Sequence, residues 1–313
     1  MANKHFFSLP TKKETVICLS LTIIFLILTA TFVGLRPEHG LLTGLFCLLF
    51  FLSSPTRKLA MALLPFAIFG ASYDWMRVYP NYEVNPVDVE GLYQAEKQLF
   101  GIVSATGVLQ IPGEWFSDHT HPLADILAGI FYLCWVPVPI AFGLYLYFKG
   151  DKKYALHFSL SFLLVNLIGF AIYYIHPAAP PWYAINYGME VIKDTPGNTA
   201  GLGRFDEMIG LPIFLSIYGR NANIFAAVPS LHAAYMLIAT IYAVLSKQSK
   251  ILIILFAIIT MGIWWTAVYS THHYIIDVLL GIGVAIFGIL LFEQVLMRIP
   301  AFARFMHSYE RYI

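Results

Sequence analysis

Long apolar runs separated by short polar breaks dominate this chain. Runs at 16–35, 40–54, 59–76, 122–148, 154–175, 228–246, 251–269 and 274–296 predict eight membrane helices. The second run, between Arg36-Pro37 and Ser53-Ser-Pro55, falls short of the roughly 20 residues of a perpendicular span, so it is expected to be tilted or partly re-entrant. The fourth carries Val136-Pro-Val-Pro139 and should kink there, because proline lacks an N–H and clashes with the preceding turn. Two polar stretches interrupt the pattern, 77–121 and 176–227. Within the first, 88–100 reads as an amphipathic interfacial helix, with Leu92, Leu99 and Phe100 apolar and Glu96 and Lys97 polar. Tight connections make the last three helices antiparallel neighbours.

Composition supports this pattern. The chain is 59% hydrophobic and only 12% charged over 313 residues, whereas soluble domains carry about 25% charged residues. The fold class is therefore an all-α integral membrane protein, a helical bundle of about eight transmembrane helices. Residues 1–121 form N-terminal membrane helices and an outer loop, and 122–313 form the catalytic membrane domain. The first apolar run lacks a small-residue cleavage site and reads as a span. A net charge of +1 gives no field for nucleic acid. Cys18, Cys47 and Cys134 lie in apolar runs and read as packing residues. Threading eight spans puts 13 of the 19 Lys and Arg residues on one side, in the termini, Arg57-Lys58, Lys149–Lys153 and Lys247–Lys250. The positive-inside rule then places both termini in the cytoplasm and both large polar loops on the extracytoplasmic face.

On that outer face lies Ser270-Thr-His-His-Tyr-Ile-Ile-Asp277. His273 and Asp277 are four residues apart, so a helix from Tyr274 onward puts imidazole and carboxylate on one face. The carboxylate can then hold one ring nitrogen and leave the other as a nucleophile. The competing reading is a pair of interfacial histidines capping a span. The same face carries Val228-Pro-Ser-Leu-His232, a helix start with Pro229 and the N-cap candidate Ser230. Free N–H groups there suit an anion, and His232 in the first turn suits a group that gives and takes a proton. Together these residues suggest phosphoryl transfer through a phosphohistidine. His273 would attack phosphorus, His232 would act as acid and base, and Asp277 would fix the tautomer of His273 and stabilise its positive charge.

Pro-Ser-x-His followed some forty residues later by His-x-x-x-Asp resembles the type-2 phosphatidic acid phosphatase (PAP2) superfamily of membrane phosphatases and phosphotransferases. His176-Pro-Ala-Ala-Pro-Pro-Trp-Tyr183, Gly197-Asn-Thr-Ala-Gly-Leu-Gly-Arg-Phe-Asp206 and the doubled histidine at 272–273 are similar to the inositol phosphorylceramide synthase branch. The likeness covers about 173–281. It implies the same roles for His273, His232 and Asp277, with phosphatidylinositol as donor and ceramide as acceptor, and no cofactor or metal. The partners would thus be a phospholipid and a lipid alcohol within the membrane. The sequence is silent on an accessory subunit.

The chain departs from the usual phosphatase pattern in two places. No Lys or Arg occurs between Lys153 and Lys193, so Lys-x6-Arg-Pro is absent, and Thr266 and Ala267 stand where a Ser-Arg pair is usual. A transferring phosphoryl group needs compensating charge. Arg204 is the leading candidate, because guanidinium can clamp phosphate oxygens bidentately. Its competing reading is a loop ion pair with Asp206 or Glu207. Lys193 and Arg220 are weaker candidates. His272 would contact phosphate or position its neighbour. Trp182 and Tyr183 would line a lipid entrance or belong to the interfacial aromatic belt. Asp74 and Arg77 read as a local pair or a polyol site, His119 and His121 as loop residues, and Asn166 as an interhelical donor. Two other functions compete with the transferase. One is a lipid phosphate phosphatase, in which water is the acceptor. The other is a transporter, against which the clustering of polar residues at one face argues.

Overall fold

The computed structural model describes residues 8–219 and 223–313, so Arg220 lies outside the described residues. The chain begins with α1 (Lys12–Phe32), α2 (Pro37–Leu52) and α3 (Ser54–Trp75). Outside the bundle come α4 (Glu90–Phe100), a two-stranded ribbon pairing Ile102–Val103 with Leu109–Gln110, and α5 (Pro112–Asp118). The bundle resumes with α6 (Pro122–Leu133), α7 (Pro137–Phe148) and α8 (Lys152–Ile175). Three short helices then form the second loop: α9 (Pro181–Tyr187), α10 (Gly203–Ile209) and α11 (Ile213–Tyr218). The C-terminal third is α12 (Leu231–Leu245), α13 (Lys250–Tyr269), α14 (Ile275–Leu290) and the terminal α15 (Pro300–Tyr312).

Each of the eight expected runs is helical. Among the described residues, five helices are long and apolar enough to cross a membrane, and α6 with α7 makes six if the pair counts as one bent span. The bend is 43° and falls at 134–136, just before Pro137, where the expected kink lies. Two of the expected spans, α2 and α12, have 16 and 15 residues, short of a perpendicular crossing. In both, capping residues set the length. Pro37 starts α2 and Ser53 caps the following helix, while Ser230 starts α12 by accepting from the Ala233 amide at 3.3 Å.

Burial along the helices shows what they surround. The most apolar stretch of α8 is 61% buried, against 11% for α1. Thus α8 is the centre post, packed by α3, α7, α12 and α14, and α1 presents most of its surface outward. Close crossings use small residues, as membrane bundles do. A Cβ on Gly281 of α14 would sit 2.1 Å from the Ser230 carbonyl, and one on Gly169 of α8 would meet Leu231 at 2.6 Å. These two glycines let α14 and α8 close on the start of α12. Asn166 links α8 to α12, though it accepts from the Tyr235 hydroxyl at 2.5 Å, since its own amide is spent on the Phe162 carbonyl.

Packing also crosses the division expected at 121/122. The Asp88 amide donates to the Pro177 carbonyl, Ala179 donates back to the Asp88 carbonyl, and α4 lies on the start of α14. The expected helix is present as α4, but its polar face is not where the sequence places it. Leu99 is exposed, whereas Glu96, expected on the polar face, is 1% exposed. The helix turns that face inward because Glu96 finds backbone donors there.

Candidate active site

The chain from Thr266 to Asp277 is held at almost every residue. The Ser270 hydroxyl and amide bond back to Thr266, the Gly201 amide donates to the Ser270 carbonyl, Trp182 donates to the Thr271 carbonyl, and the His273 amide donates to Ala267. Thr271 sits at φ 59, a left-handed conformation that costs a β-branched residue about 1–3 kcal/mol. The surrounding bonds hold it there. The sharp turn sends two successive imidazoles to different partners.

His273 is held from its Asp277 side. Its Nδ1 lies 3.3 Å from Asp277 Oδ2, which also accepts the Tyr274 amide at 2.9 Å. The carboxylate only accepts, so Nδ1 carries the proton and Nε2 presents its lone pair. That Nε2 lies 3.0 Å from Nδ1 of His232, one residue into α12. The Tyr132 hydroxyl of α6 lies 3.0 Å from the same His232 nitrogen, and Trp135 packs edge-on against the ring. The link between the two helix ends is direct, because the Ser230 amide donates to the Asp277 carbonyl at 2.9 Å. Asp277 is 0% exposed, and its Oδ1 has no partner among the described residues.

His272 turns away from this line. Its Nε2 donates to the Thr199 carbonyl at 2.9 Å, and its ring is stacked between Tyr218 and Tyr132. Burial, aided by nearby His273, pushes it down to about 3, so it is neutral at physiological pH. It ties the 270–274 turn to the glycine-rich 197–203 segment.

Arg204 follows that segment. Its Nε donates to Asp125 of α6 at 2.6 Å, not to Asp206 or Glu207, and its guanidinium lies over the Tyr269 ring at 5.4 Å. Asp206 is occupied elsewhere, accepting the Phe214 and Leu215 amides that begin α11. The Tyr269 hydroxyl shares Asp125. The Nη2 of Arg204 is buried without a hydrogen-bond partner among the described residues. A Cβ on Gly201 would meet both terminal guanidinium nitrogens at 3.0 Å, so glycine there gives the side chain its place.

The remaining candidates lie outside this arrangement. Lys193 pairs with Glu83 on the exposed loop. Trp182 and Tyr183 are packed inside at 4% and 0% exposure. Pro180 and Pro181 start α9 so that these rings face the core, and the Tyr183 hydroxyl joins the Glu190 carbonyl to the Ile192 amide. They form the wall behind the histidine turn instead of an entrance. Ser230 spends its hydroxyl on the α12 cap. Asp74 and Arg77 join Arg36 and His39 in a cluster between α2 and α3. His119 stacks on Trp115, and His121 caps α6. Sequence reasoning missed Tyr132 and Asp125. Both stand at helical spacing in an apolar run beginning at His121-Pro122, and an acid in that run is the one signal that could have been followed.

The profile of the PAP2 superfamily matches residues 105–291, more than half of the chain and including every residue just described from Asp125 to Asp277. The chain belongs to the PAP2 superfamily. Among its relatives, phosphoinositol dihydroceramide synthase of Bacteroides thetaiotaomicron is 63% identical over 97% of this chain and 100% of its own length. Inositol phosphorylceramide synthase of Candida albicans is 30% identical over 56% of this chain, and the catalytic subunit of the Saccharomyces cerevisiae enzyme is 28% identical over 74%. The chain spans 38% and 56% of those two fungal proteins. No solved structure matches it.

Proposed function

We propose that this protein is a membrane phosphotransferase that moves phosphoinositol from phosphatidylinositol to the primary hydroxyl of ceramide or dihydroceramide. His273 Nε2 attacks phosphorus, and the bond from phosphorus to the diacylglycerol oxygen breaks. His232 gives that oxygen a proton, and diacylglycerol leaves. His232 then takes the proton of the ceramide hydroxyl, whose oxygen attacks phosphorus and breaks the phosphorus–nitrogen bond. Asp277 balances the positive charge that His273 carries in between. The observation supporting this most is the 3.0 Å approach of the two imidazoles with a buried carboxylate behind one of them. The 63% identity to a phosphoinositol dihydroceramide synthase favours this donor and acceptor. The charge distribution supports cytoplasmic termini and a site opening to the extracytoplasmic leaflet.

The decisive experiment supplies labelled phosphatidylinositol to the purified protein in vesicles, with and without ceramide. The expected products are a labelled phosphosphingolipid and diacylglycerol, formed only when ceramide is present. Labelled inositol phosphate released at the same rate without ceramide would make the protein a hydrolase.

Arg204 is assigned to the phosphoryl oxygens in place of the two missing cationic motifs, through its unpartnered Nη2. Arg204→Gln is expected to lower kcat about a hundredfold, the scale of losing one donor to developing charge. Arg204→Lys should recover only part, since an ammonium cannot hold Asp125 and a phosphate oxygen in one plane. Steady-state kinetics on protein of unchanged thermal stability checks this, and a loss under threefold removes Arg204 from the site.

A further inference from the structure

The start of α14 is closed by a residue from outside the bundle. Ile275 and Ile276 are the first residues of this helix, and their N–H groups have no partner within it. Both are taken by one side chain, Glu96 of α4, with Oε1 2.8 Å from the Ile275 nitrogen and Oε2 3.2 Å from that of Ile276. The preceding amide, Tyr274, goes to Asp277. Two carboxylates therefore share the end of one helix, one holding His273 and the other arriving from a segment about 180 residues earlier.

Glu96 is 1% exposed, and among the described residues no cation pairs with it. Burial pushes its carboxyl up to about 7; the two amides pull it back, and the charge of Asp277 adds to the rise. An acid under that penalty is a poor choice for filling space, since an apolar side chain would fill it at lower cost. What the carboxylate does is accept two orphan amides at once and fix the register of the turn that carries His273 and Asp277. The neighbouring Tyr93 of the same helix ties it further, donating to Glu114 of α5 at 2.7 Å.

We propose that Glu96 is a positioning residue for the reaction, clamping the first turn of α14 so that His273 and Asp277 stand in attack geometry. The inference rests on the phosphotransfer reading above and assigns it a residue that lies before the region matched by the superfamily profile. It makes α4 a working part of the site rather than a membrane-surface anchor. Glu96 does not touch the reacting atoms; it acts through backbone groups.

The test compares Glu96→Gln and Glu96→Ala in the full-length protein reconstituted with phosphatidylinositol and ceramide. Gln keeps the shape and one accepting oxygen, whereas Ala keeps neither. Expected losses in kcat are about tenfold for Gln and about a hundredfold for Ala, the scale of an ångström of misplacement at a reacting centre. KM for phosphatidylinositol should stay within about twofold, because the clamp acts on the geometry of attack and not on contacts to the lipid. Hydrogen exchange is the second readout, and it is independent of the lipid chemistry. Amides 275 and 276 should exchange faster in both variants, with α12 unchanged. Retained kcat in Glu96→Ala overturns the proposal. So does exchange unchanged at 275–276, or a fall in kcat that only follows a fall in thermal stability in both variants. Should wild-type protein make no phosphosphingolipid, the phosphotransfer reading fails, while the exchange measurement still decides whether Glu96 clamps the helix.

Discussion

His273→Ala lowers kcat by at least about a thousandfold, because it removes the atom that bonds to phosphorus. The expectation follows from the side-chain geometry. Nδ1 is held by Asp277 at 3.3 Å, which leaves the Nε2 lone pair directed at His232 Nδ1, 3.0 Å away. The turn that carries the ring is held by backbone bonds on both sides, and Ser270 to Tyr274 are buried. His232→Ala should also be severe, and the double variant should be scarcely worse than His273→Ala alone, because residues that act as a unit are strongly non-additive. Phosphosphingolipid formation measures the loss, and binding of phosphatidylinositol to the inactive variant checks that the site survives. Bound lipid without turnover also excludes a transporter whose histidines merely line a path. A His273→Ala protein within tenfold of wild type would remove the covalent step from the mechanism.

Much of this centre was legible in the sequence because it is local. A four-residue spacing places His273 over Asp277 once a helix starts at Ile275, and Pro-Ser-x-His marks a helix beginning on chemical grounds alone. What brings the two motifs to one point is less visible. It depends on Gly281 allowing α14 to close against the Ser230 carbonyl, which no pattern of apolar residues announces. The cation was found only as a residue type. Its partner Asp125 lies 79 positions earlier, and nothing local distinguishes that pairing from one with Asp206. Glu96 was misread for the same reason. On a single amphipathic helix a glutamate next to a lysine belongs to the wet face, and only the approach of α14 turns it into a buried cap. All eight apolar runs are helical, but two of the helices are shorter than a perpendicular span. In α2 and α12 the capping residues, not hydropathy, decide the ends.

Asp277→Asn isolates the charge behind the nucleophile, and we expect it to lower kcat about a thousandfold with KM for phosphatidylinositol little changed. The substitution keeps the size of a side chain that is 0% exposed. Two orientations of the amide are open to it. With its oxygen in the Oδ2 place, it still accepts from the Tyr274 amide and from His273 Nδ1, but no longer balances the cationic phosphohistidine. With its nitrogen there, it donates to Nδ1 and drives the ring proton onto Nε2, which blocks attack. Both outcomes reduce the chemical step and leave lipid binding alone, which separates this residue from one that simply caps a helix. A cap alone would be largely kept by asparagine, whose oxygen still accepts the Tyr274 amide. The two accounts therefore differ in one number. Retention of more than a tenth of wild-type kcat in Asp277→Asn would leave Asp277 a helix cap and His273 without its charge partner. Loss of three orders of magnitude at unchanged KM and thermal stability would tie the carboxylate to the reaction, because only an interaction stronger in the transition state than in the bound lipid reduces kcat in this way.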